Sequence, residues 1–473
     1  MPAPVAIIGG GVSGLAAAYE LSTLGVPFVL YERAPRLGGV IRTEHIDGFT
    51  IDAGPDALLT QKPAALDLCR ALGLADRLQP QSARATFLVR GGRLRRLPEA
   101  SVLGIPTRLL PFAATDAFSW LGKLRMAADV VIPAAAPAAD ESMASFIGRR
   151  FGREAVDYLA EPLLAGIHGG DPARLSMRSA FPRLLELEAR YRSVIVGLQR
   201  SAAMKPAQSS SPQVPFVALP GGMSELTDAL TAALPAASLQ RGVAVDRIVR
   251  SGAGFVLRLS DGTRADVSAI LLATPPPSAA RLTLALDEAL AVQCANIRMA
   301  SVVTVALGYR RSAVTHPLNG TGFVVPRCEG MQVRAVSWVS SKWSGRAPAG
   351  SVLLRAFLGG MLQPGAIDRE DADLIRHAAA DAARLLGIHG DPTLARVYRW
   401  RDATPQIEVG HADVMSAIER RLAAQPGLFL SATGFRGTGI ADCVADGRRQ
   451  ALLAAQYSRA LPGRDLAACV GHQ

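Results

Sequence analysis

The 473-residue sequence predicts an α/β (α+β) protein of two or three domains. Three observations carry this. A short apolar strand, a glycine turn and a strong helix former follow one another directly at the start. A long helix-compatible stretch fills the second quarter. Runs that alternate apolar and polar residues dominate the third quarter. Hydrophobic residues make up 49% of the chain and charged ones 19%, which is far too apolar for disorder and too long for one small core.

Val5 to Ile8 is the first strand, Gly9-Gly10-Gly11-Val12-Ser13-Gly14 the turn, and Leu15 to Leu21 the helix. Gly25 ends that helix, and Val26 to Tyr31 forms a second strand closed by Glu32 and Arg33. This is a complete Rossmann-like βαβ unit. Gly9 suits a tight turn, Gly11 a close backbone approach to a diphosphate, and Gly14 close helix packing. The helix amino terminus adds unpaired N–H groups, and Glu32 is spaced to accept from a ribose hydroxyl. A second glycine pair follows at once in Arg36-Leu37-Gly38-Gly39-Val40-Ile41-Arg42, and then Ala53-Gly54-Pro55-Asp56. That pair lets backbone pass close to an extended cofactor and brings Arg42 towards diphosphate. A nicotinamide-binding domain would continue into another strand–helix unit instead. The pattern is that of a flavoprotein with two dinucleotide-binding motifs, and it implies FAD.

Residues 95 to 205 read as mostly helical, with helices expected over Glu141–Leu164 and Met177–Arg200. Residues 206 to 215 form a polar boundary. Arg241 to Ile248, Gly254 to Leu259 and the run from Ala265 read as a β-meander with Val243 at its start, and Ile270 to Ala273 as a buried strand. Residues 299 to 360 suggest a second, antiparallel sheet. Gly427 to Ser431 is a last strand, and Gly434 to Cys443 turns into a final helix reaching about Ser458.

The net charge of +11 comes almost entirely from arginine, since Lys62, Lys123, Lys205 and Lys342 are the only lysines. No basic helix or interleaved aromatic stripe accompanies it, which argues against nucleic acid. Anionic substrates and peripheral contact with an anionic membrane surface stay open. The five cysteines show no paired spacing, so neither a disulfide framework nor a metal site is implied. The uncharged first residues lack a basic leader and no run reads as a membrane span, so the expectation is a cytoplasmic protein.

Several stretches together resemble the oxygen-dependent protoporphyrinogen/coproporphyrinogen oxidases, FAD enzymes within the amine-oxidase-like flavoproteins. These are Leu163 to Pro172 with Leu175-Ser176-Met177, Phe181-Pro182 with Tyr191-Arg192-Ser193, Arg399-Trp400 with Pro405-Gln406 and Gly410-His411, and Gly437-Thr438-Gly439-Ile440-Ala441-Asp442-Cys443. The resemblance covers nearly the whole chain. It implies a fold of the p-hydroxybenzoate-hydroxylase type: an FAD domain from 1–82, 214–280 and 400–460, a mixed-sheet substrate domain from 83–94 and 281–399, and a helical insertion, 95–213, able to touch membrane. The chain departs from the family at Ala432, at His168 where an aromatic is common, and at Thr86 where some members carry a propionate-contacting arginine. Arg84 or Arg90 could substitute.

The implied reaction takes six electrons from a porphyrinogen in three flavin cycles, with oxygen as acceptor and hydrogen peroxide released. The protein-side electrostatic device is the final helix, whose start at Gly437, Gly439 and Ile440 would point N–H groups at the flavin. Asp442 reads as a first-turn charge rather than a base. His168 and Gly166 are the candidate substrate contacts of the glycine-rich loop, with His168 the one catalytic candidate. Arg90, in a cluster with Arg93, Arg95 and Arg96, could guide carboxylates. Trp338, Trp343, Phe357 and Trp400 read as core more readily than as a stacking surface. Protoporphyrinogen and coproporphyrinogen both stay open as substrates, as does a homodimer, and a flavin amine oxidase or related desaturase is the alternative class.

Overall fold

A computed structural model describes residues 3–98, 101–102, 105–106, 109–134, 140–166, 169–203 and 214–461. Strand β1 (Val5–Ile8) has no polar side chain and is buried at every position, as a strand covered on both faces must be. Helix α1 (Val12–Thr23) follows, then β2 (Phe28–Glu32), parallel to β1 with Val5 opposite Phe28. The sheet has five strands in the order Leu239–Arg241, β2, β1, β3 (Ala269–Leu272), Leu428–Leu430. One face packs on α1 and on the final helix, through Leu15, Leu30, Leu271 and Val444. The other packs through Ile8, Ile270, Leu272 and Leu430.

The second sheet has seven strands. Its first three in spatial order are Leu394–Pro405, Met299–Arg310 and Ser351–Gly359, the middle one of which is β4 and the third β5; Leu394–Pro405 is β6. Ala335–Trp338, Gly322–Val324, Thr86–Arg90 and Arg93–Arg96 complete it. All its pairs are antiparallel except Gly322–Val324 with Thr86–Arg90. The helix Asp371–Leu386 covers one face through Leu374, Ala378 and Ala382. The meander Val245–Ser251, Gly254–Leu259, Arg264–Val267 forms a separate three-stranded sheet as the sequence predicts.

Three expected boundaries fall inside elements. Position 94/95 cuts the strand Arg93–Arg96 of the seven-stranded sheet. Position 280/281 cuts the helix Pro276–Thr283, and Leu282, Leu290 and Cys294 pack against the five-stranded sheet, not the seven-stranded one. Position 400 cuts β6. The two long helices expected in the insertion are also interrupted. Gly152, at φ +89°, separates Met143–Phe151 from the single turn Arg153–Ala155, and Val156–Ala165 is wound as a π-helix around Pro162, which has no N–H for the regular ladder. Pro182 opens a new helix, and Arg192 in the left-handed region closes it before Val194–Ala203. A fully buried Arg150 ties this region together, donating to the Asp129 carboxylate (2.6 Å) and to the carbonyls of Ile132, Pro133 and Arg192. Helix α2 (Ile440–Ala460) closes the chain.

Candidate active site

The first glycine turn is built by backbone approach. A Cβ on Gly9 (φ +110°) would stand 2.5 Å from the Ala273 carbonyl, and one on Gly14 only 1.9 Å from the Gly9 carbonyl. Gly11 is different. It caps α1 in extended backbone, and a Cβ there would meet nothing within 4 Å. The space before Gly11, at the amino end of α1, is thus an open cradle that a side chain would fill, and it has the form a diphosphate needs. The second glycine turn lies across the first: the Gly38 amide donates to the Gly10 carbonyl (2.8 Å), and a Cβ on Gly39 would come within 3.1 Å of Gly11 Cα. Arg36, which sequence reasoning passed over as the start of a motif, clamps this turn by donating to the carbonyls of Leu37, Gly39 and Ile41.

Glu32 ends β2 with both carboxylate oxygens oriented: Oε2 accepts from the Gly10 amide (2.7 Å) and Oε1 from the Ala34 amide (2.8 Å). Each oxygen retains capacity for a further donor. The Val243 amide donates to the Glu32 carbonyl (3.0 Å), which brings that residue beside the cradle. Arg33 and Arg42 are exposed at its rim; Arg42 pairs with Glu44 and lies over the Tyr398 ring.

The loop Ala53-Gly54-Pro55-Asp56 packs against Val40, so closely that a Cβ on Gly54 would stand 2.0 Å from the Val40 carbonyl. The donors to this loop come from the seven-stranded sheet. Ala53 O accepts from Thr304 Oγ1 (3.0 Å) and Trp400 Nε1 (3.1 Å), while Arg355 Nη1 reaches the carbonyls of Asp52 (2.6 Å) and Gly54 (2.7 Å). Asp56, expected at the cofactor, instead faces inward to Lys342 (2.9 Å) and Arg355 (3.2 Å). Burial alone would raise its pKa, but the two cations overcome this and hold the carboxyl well below the usual range. Asp52, against Arg346 (3.1 Å), is pushed up by burial, which its partners offset only in part.

The other segments singled out converge on one end of this sheet. Gly169 (φ +56°) accepts from the Met361 amide (2.7 Å) and would meet Val302 if it carried a Cβ. The turn before α2 meets the end of β6, where Gly434 abuts Pro405. Gly439 caps α2; its amide donates to Asp442 Oδ2 (3.2 Å), and Asp442 also pairs with Lys62 (2.6 Å), so Asp442 takes the first-turn role. The amides of Ile440 and Ala441 have no intrahelical acceptor, by helix geometry. A Cβ on Gly439 would meet only Asp442 Oδ2, at 3.4 Å. Gly437 instead packs on Asp442 Cβ. Along the sheet face Thr304 stands opposite both Phe357 and Tyr398. Phe357 and Trp400 are half-buried there, unlike Trp338 and Trp343, which are core as expected.

Gly166 is exposed at the end of the π-helix, whereas His168 lies outside the described residues. Arg90 is not open to a ligand as the sequence suggested: Nη1 donates to Glu154 (2.5 Å) and to the Ala117 carbonyl (2.8 Å), and the guanidinium lies 4.6 Å over the Tyr158 ring. Arg84 is exposed, and Thr86 bonds Thr321 (2.9 Å). Cys443 is buried on α2 beside Ser13, its thiol pushed up to about 11 by burial, which disfavours the nucleophilic thiolate. His411 is buried with Nε2 3.2 Å from the Phe435 carbonyl, a packing position.

A two-glycine-turn cradle, an acid at the end of the second strand and an open helix amino terminus define a dinucleotide-binding oxidoreductase. The chain belongs to the flavin-containing amine oxidoreductase family, whose pattern matches residues 12–453. Its cofactor is FAD. It is 34% identical to the coproporphyrinogen III oxidase of Bacillus subtilis, over 94% of this chain and 96% of that one. It is 28% identical to protoporphyrinogen oxidase 1, chloroplastic, of Spinacia oleracea, over 93% of this chain and 81% of that one. A solved protein of Exiguobacterium sp. 255-15, provisionally named protoporphyrinogen oxidase, superposes with a TM-score of 0.86 at 28% identity, covering 96% of this chain and 99% of that one.

Proposed function

We propose that the chain oxidises coproporphyrinogen III to coproporphyrin III, in the cytoplasm, as a step of haem biosynthesis. The observation that carries this is the meeting of the cofactor cradle, the Gly169 loop, the Gly439 helix start and the half-buried Phe357 and Trp400 at one end of the seven-stranded sheet. The full-length similarity to the Bacillus subtilis enzyme supports the choice of substrate class. A porphyrinogen loses six electrons and six protons to become the porphyrin, so three molecules of oxygen leave as three of hydrogen peroxide. When bound, FAD supplies the two-electron acceptor.

The protein's own residues orient and polarise. Gly9 to Gly14, Gly38 and Gly39 would hold the diphosphate, with Glu32 on the ribose side and Val243, Arg33 and Arg42 at the rim. Gly54 and Pro55 would let the cofactor lie close to the seven-stranded sheet. The Ile440 and Ala441 amides favour negative charge at the start of α2, with Gly439 leaving room for a ring and Gly437 letting the turn pack on Asp442. Gly166 is assigned to the substrate side, and His168 keeps the candidate role the sequence gives it. Anaerobic mixing of the holoenzyme with coproporphyrinogen III, protoporphyrinogen IX and primary amines in turn tests the reading by flavin bleaching. Rapid bleaching by coproporphyrinogen III is expected, and bleaching by amines alone would refute it.

Contact with an anionic membrane surface is proposed through Trp120, Leu121, Leu124, Val130 and Val131, which are 51–80% exposed on one segment anchored by Arg150. No helix among the described residues is long and apolar enough to cross a membrane. Sedimentation with anionic vesicles at low salt, abolished by Leu121→Asp with Leu124→Asp, is the expected result; a protein that ignores vesicles refutes the membrane contact.

A further inference from the structure

We infer that Glu161 and Arg334 are positioning residues for the substrate, their ion pair fixing the loop at Gly166 against the seven-stranded sheet. The inference rests on the reading that assigns Gly166 to the substrate side, and it names the side chains that hold it there.

The helical segment leading into this loop has two unlike faces. Ala155, Leu159 and Ala160 are buried in the core of the helical insertion. Glu154, Tyr158 and Glu161 recur at helical spacing, and all three reach the seven-stranded sheet or the loop between two of its strands. Glu154 takes Arg90. The Tyr158 hydroxyl donates to Glu329 (3.3 Å), whose carboxylate also accepts from the Gly91 and Gly92 amides (2.8 and 2.9 Å). Glu161 is the last charged residue before Gly166, and its Oε1 accepts from Arg334 Nη2 and from the Arg327 amide (3.0 Å).

Arg334 is itself held by its backbone. Its amide donates to the Phe357 carbonyl on β5 (2.8 Å), and its carbonyl accepts from the Val325 amide (2.9 Å). The far end of the loop is tied to the end of the same strand: the Gly169 carbonyl accepts from the Met361 amide, and a Cβ on Gly360 would stand 2.5 Å from it. The segment from Glu161 to Gly169 is therefore pinned at both ends beside the strand that carries Phe357. The Glu161 and Arg334 side chains are only 12% and 13% exposed. A pair so buried adds little net stability, because desolvation opposes its attraction. What it fixes is position, and a misplacement on the order of 1 Å is enough to impair a site.

The test uses the holoenzyme and reads four quantities: the KM for coproporphyrinogen III, FAD affinity, the thermal midpoint, and amide hydrogen exchange over residues 158–169. Arg334→Met is expected to raise the KM about tenfold, to speed exchange over that segment and to lower the midpoint, with FAD affinity unchanged. Glu161→Gln combined with Arg334→Met leaves neither charge buried. Its midpoint should return towards the parent's while its KM stays raised, and it carries the test where Arg334→Met fails to fold. A KM that returns with the midpoint overturns the inference, because the pair would then serve stability alone. Parent-like KM or parent-like exchange in Arg334→Met overturns it as well. So does an equal rise of KM in Arg90→Ala, which loosens the other end of the same helix face. Faster exchange in Arg334→Met, with no porphyrinogen able to bleach even the parent, leaves the pinned loop in place and refutes the proposed reaction instead.

Discussion

Gly11 and Gly14 belong to one turn, yet alanine should fail at each for a different reason. At Gly14 the added Cβ would stand 1.9 Å from the Gly9 carbonyl, with the α1 backbone buried around it. Neither partner is a flexible side-chain end, so the helix must shift, at a cost of about 1–3 kcal/mol or more. At Gly11 the Cβ meets nothing within 4 Å, and the backbone is extended (φ −71°, ψ 178°), a conformation any residue adopts. A small loss of capping preference and a small gain from a stiffer unfolded chain nearly cancel, leaving apoprotein stability within about 1 kcal/mol. What Gly11→Ala removes is the open cradle. A methyl group there holds an anionic oxygen off the α1 amides, and one charge-assisted hydrogen bond of about 1.5–3 kcal/mol corresponds to roughly 10- to 150-fold in affinity. Chemical denaturation of each apoprotein and flavin titration separate the effects. Gly14→Ala should lower stability outright. Gly11→Ala should melt like the parent, bind FAD at least tenfold more weakly, and lose most of the thermal shift that FAD confers. Parent-like FAD affinity in Gly11→Ala would sink the placement of the diphosphate.

Three further outcomes are expected. Glu32→Ala should both weaken FAD retention, by roughly 1.5–3 kcal/mol, and lower apoprotein stability, because two oriented amides at Gly10 and Ala34 lose their acceptor; an apoprotein of unchanged stability would contradict this. Arg90→Ala should cost about 1–3 kcal/mol of stability and leave the KM for porphyrinogen unchanged, since its partners are Glu154, Ala117 and Tyr158; a raised KM with an unchanged melting temperature would restore the substrate role. Asp56→Asn should cost about 3–5 kcal/mol at pH 7 by leaving Lys342 and Arg355 buried against a neutral group. The folded-state pKa of Asp56 lies below its unfolded value, so its contribution is in place above the ordinary carboxylate range and is lost as pH falls through the window beneath it. Urea melts of the variant should therefore show a flatter acid limb than the parent, and an equally steep one would place the acid sensitivity elsewhere.

The parts of the site legible in the sequence are those where backbone geometry leaves one residue type. Gly9 and Gly38 carry positive φ, and Gly14 and Gly54 admit no Cβ, so they stand out in any chain that uses this cradle. The apolar runs of β1 and β3 are equally plain, because strands buried on both faces have no polar positions to confuse the pattern. Partners distant in the chain were not legible. Asp56 follows a glycine–proline turn like a ligand contact, and nothing local indicates that Lys342 and Arg355 will meet it. Arg90 sits in an arginine-rich hairpin, but its acceptors, Ala117 and Glu154, come from the helical insertion. The helices carrying Leu282 and Leu290 have an apolar face that suits either sheet, and only tertiary packing chooses the five-stranded one.

The loop from Asp52 to Asp56 explains how the two sheets are held in one arrangement. It belongs by sequence to the cofactor cradle and packs on Val40 there, yet the carbonyls of Asp52, Ala53 and Gly54 all accept from side chains of the other sheet. Four hydrogen bonds at roughly 0.5–1.5 kcal/mol each fix its backbone more firmly than its own turn could. The buried ion cluster adds little net stability, because desolvating Asp56, Lys342 and Arg355 opposes their attraction. Its effect is positional. Arg355 holds Asp56 and two carbonyls at once, and on the same strand face Phe357 lies under the guanidinium, 4.8 Å from it. Any movement of the half-buried sheet face relative to the cradle must therefore break that cluster. The spacing between the cradle and this face of the seven-stranded sheet is thus set by a charge network that neither sheet contains alone.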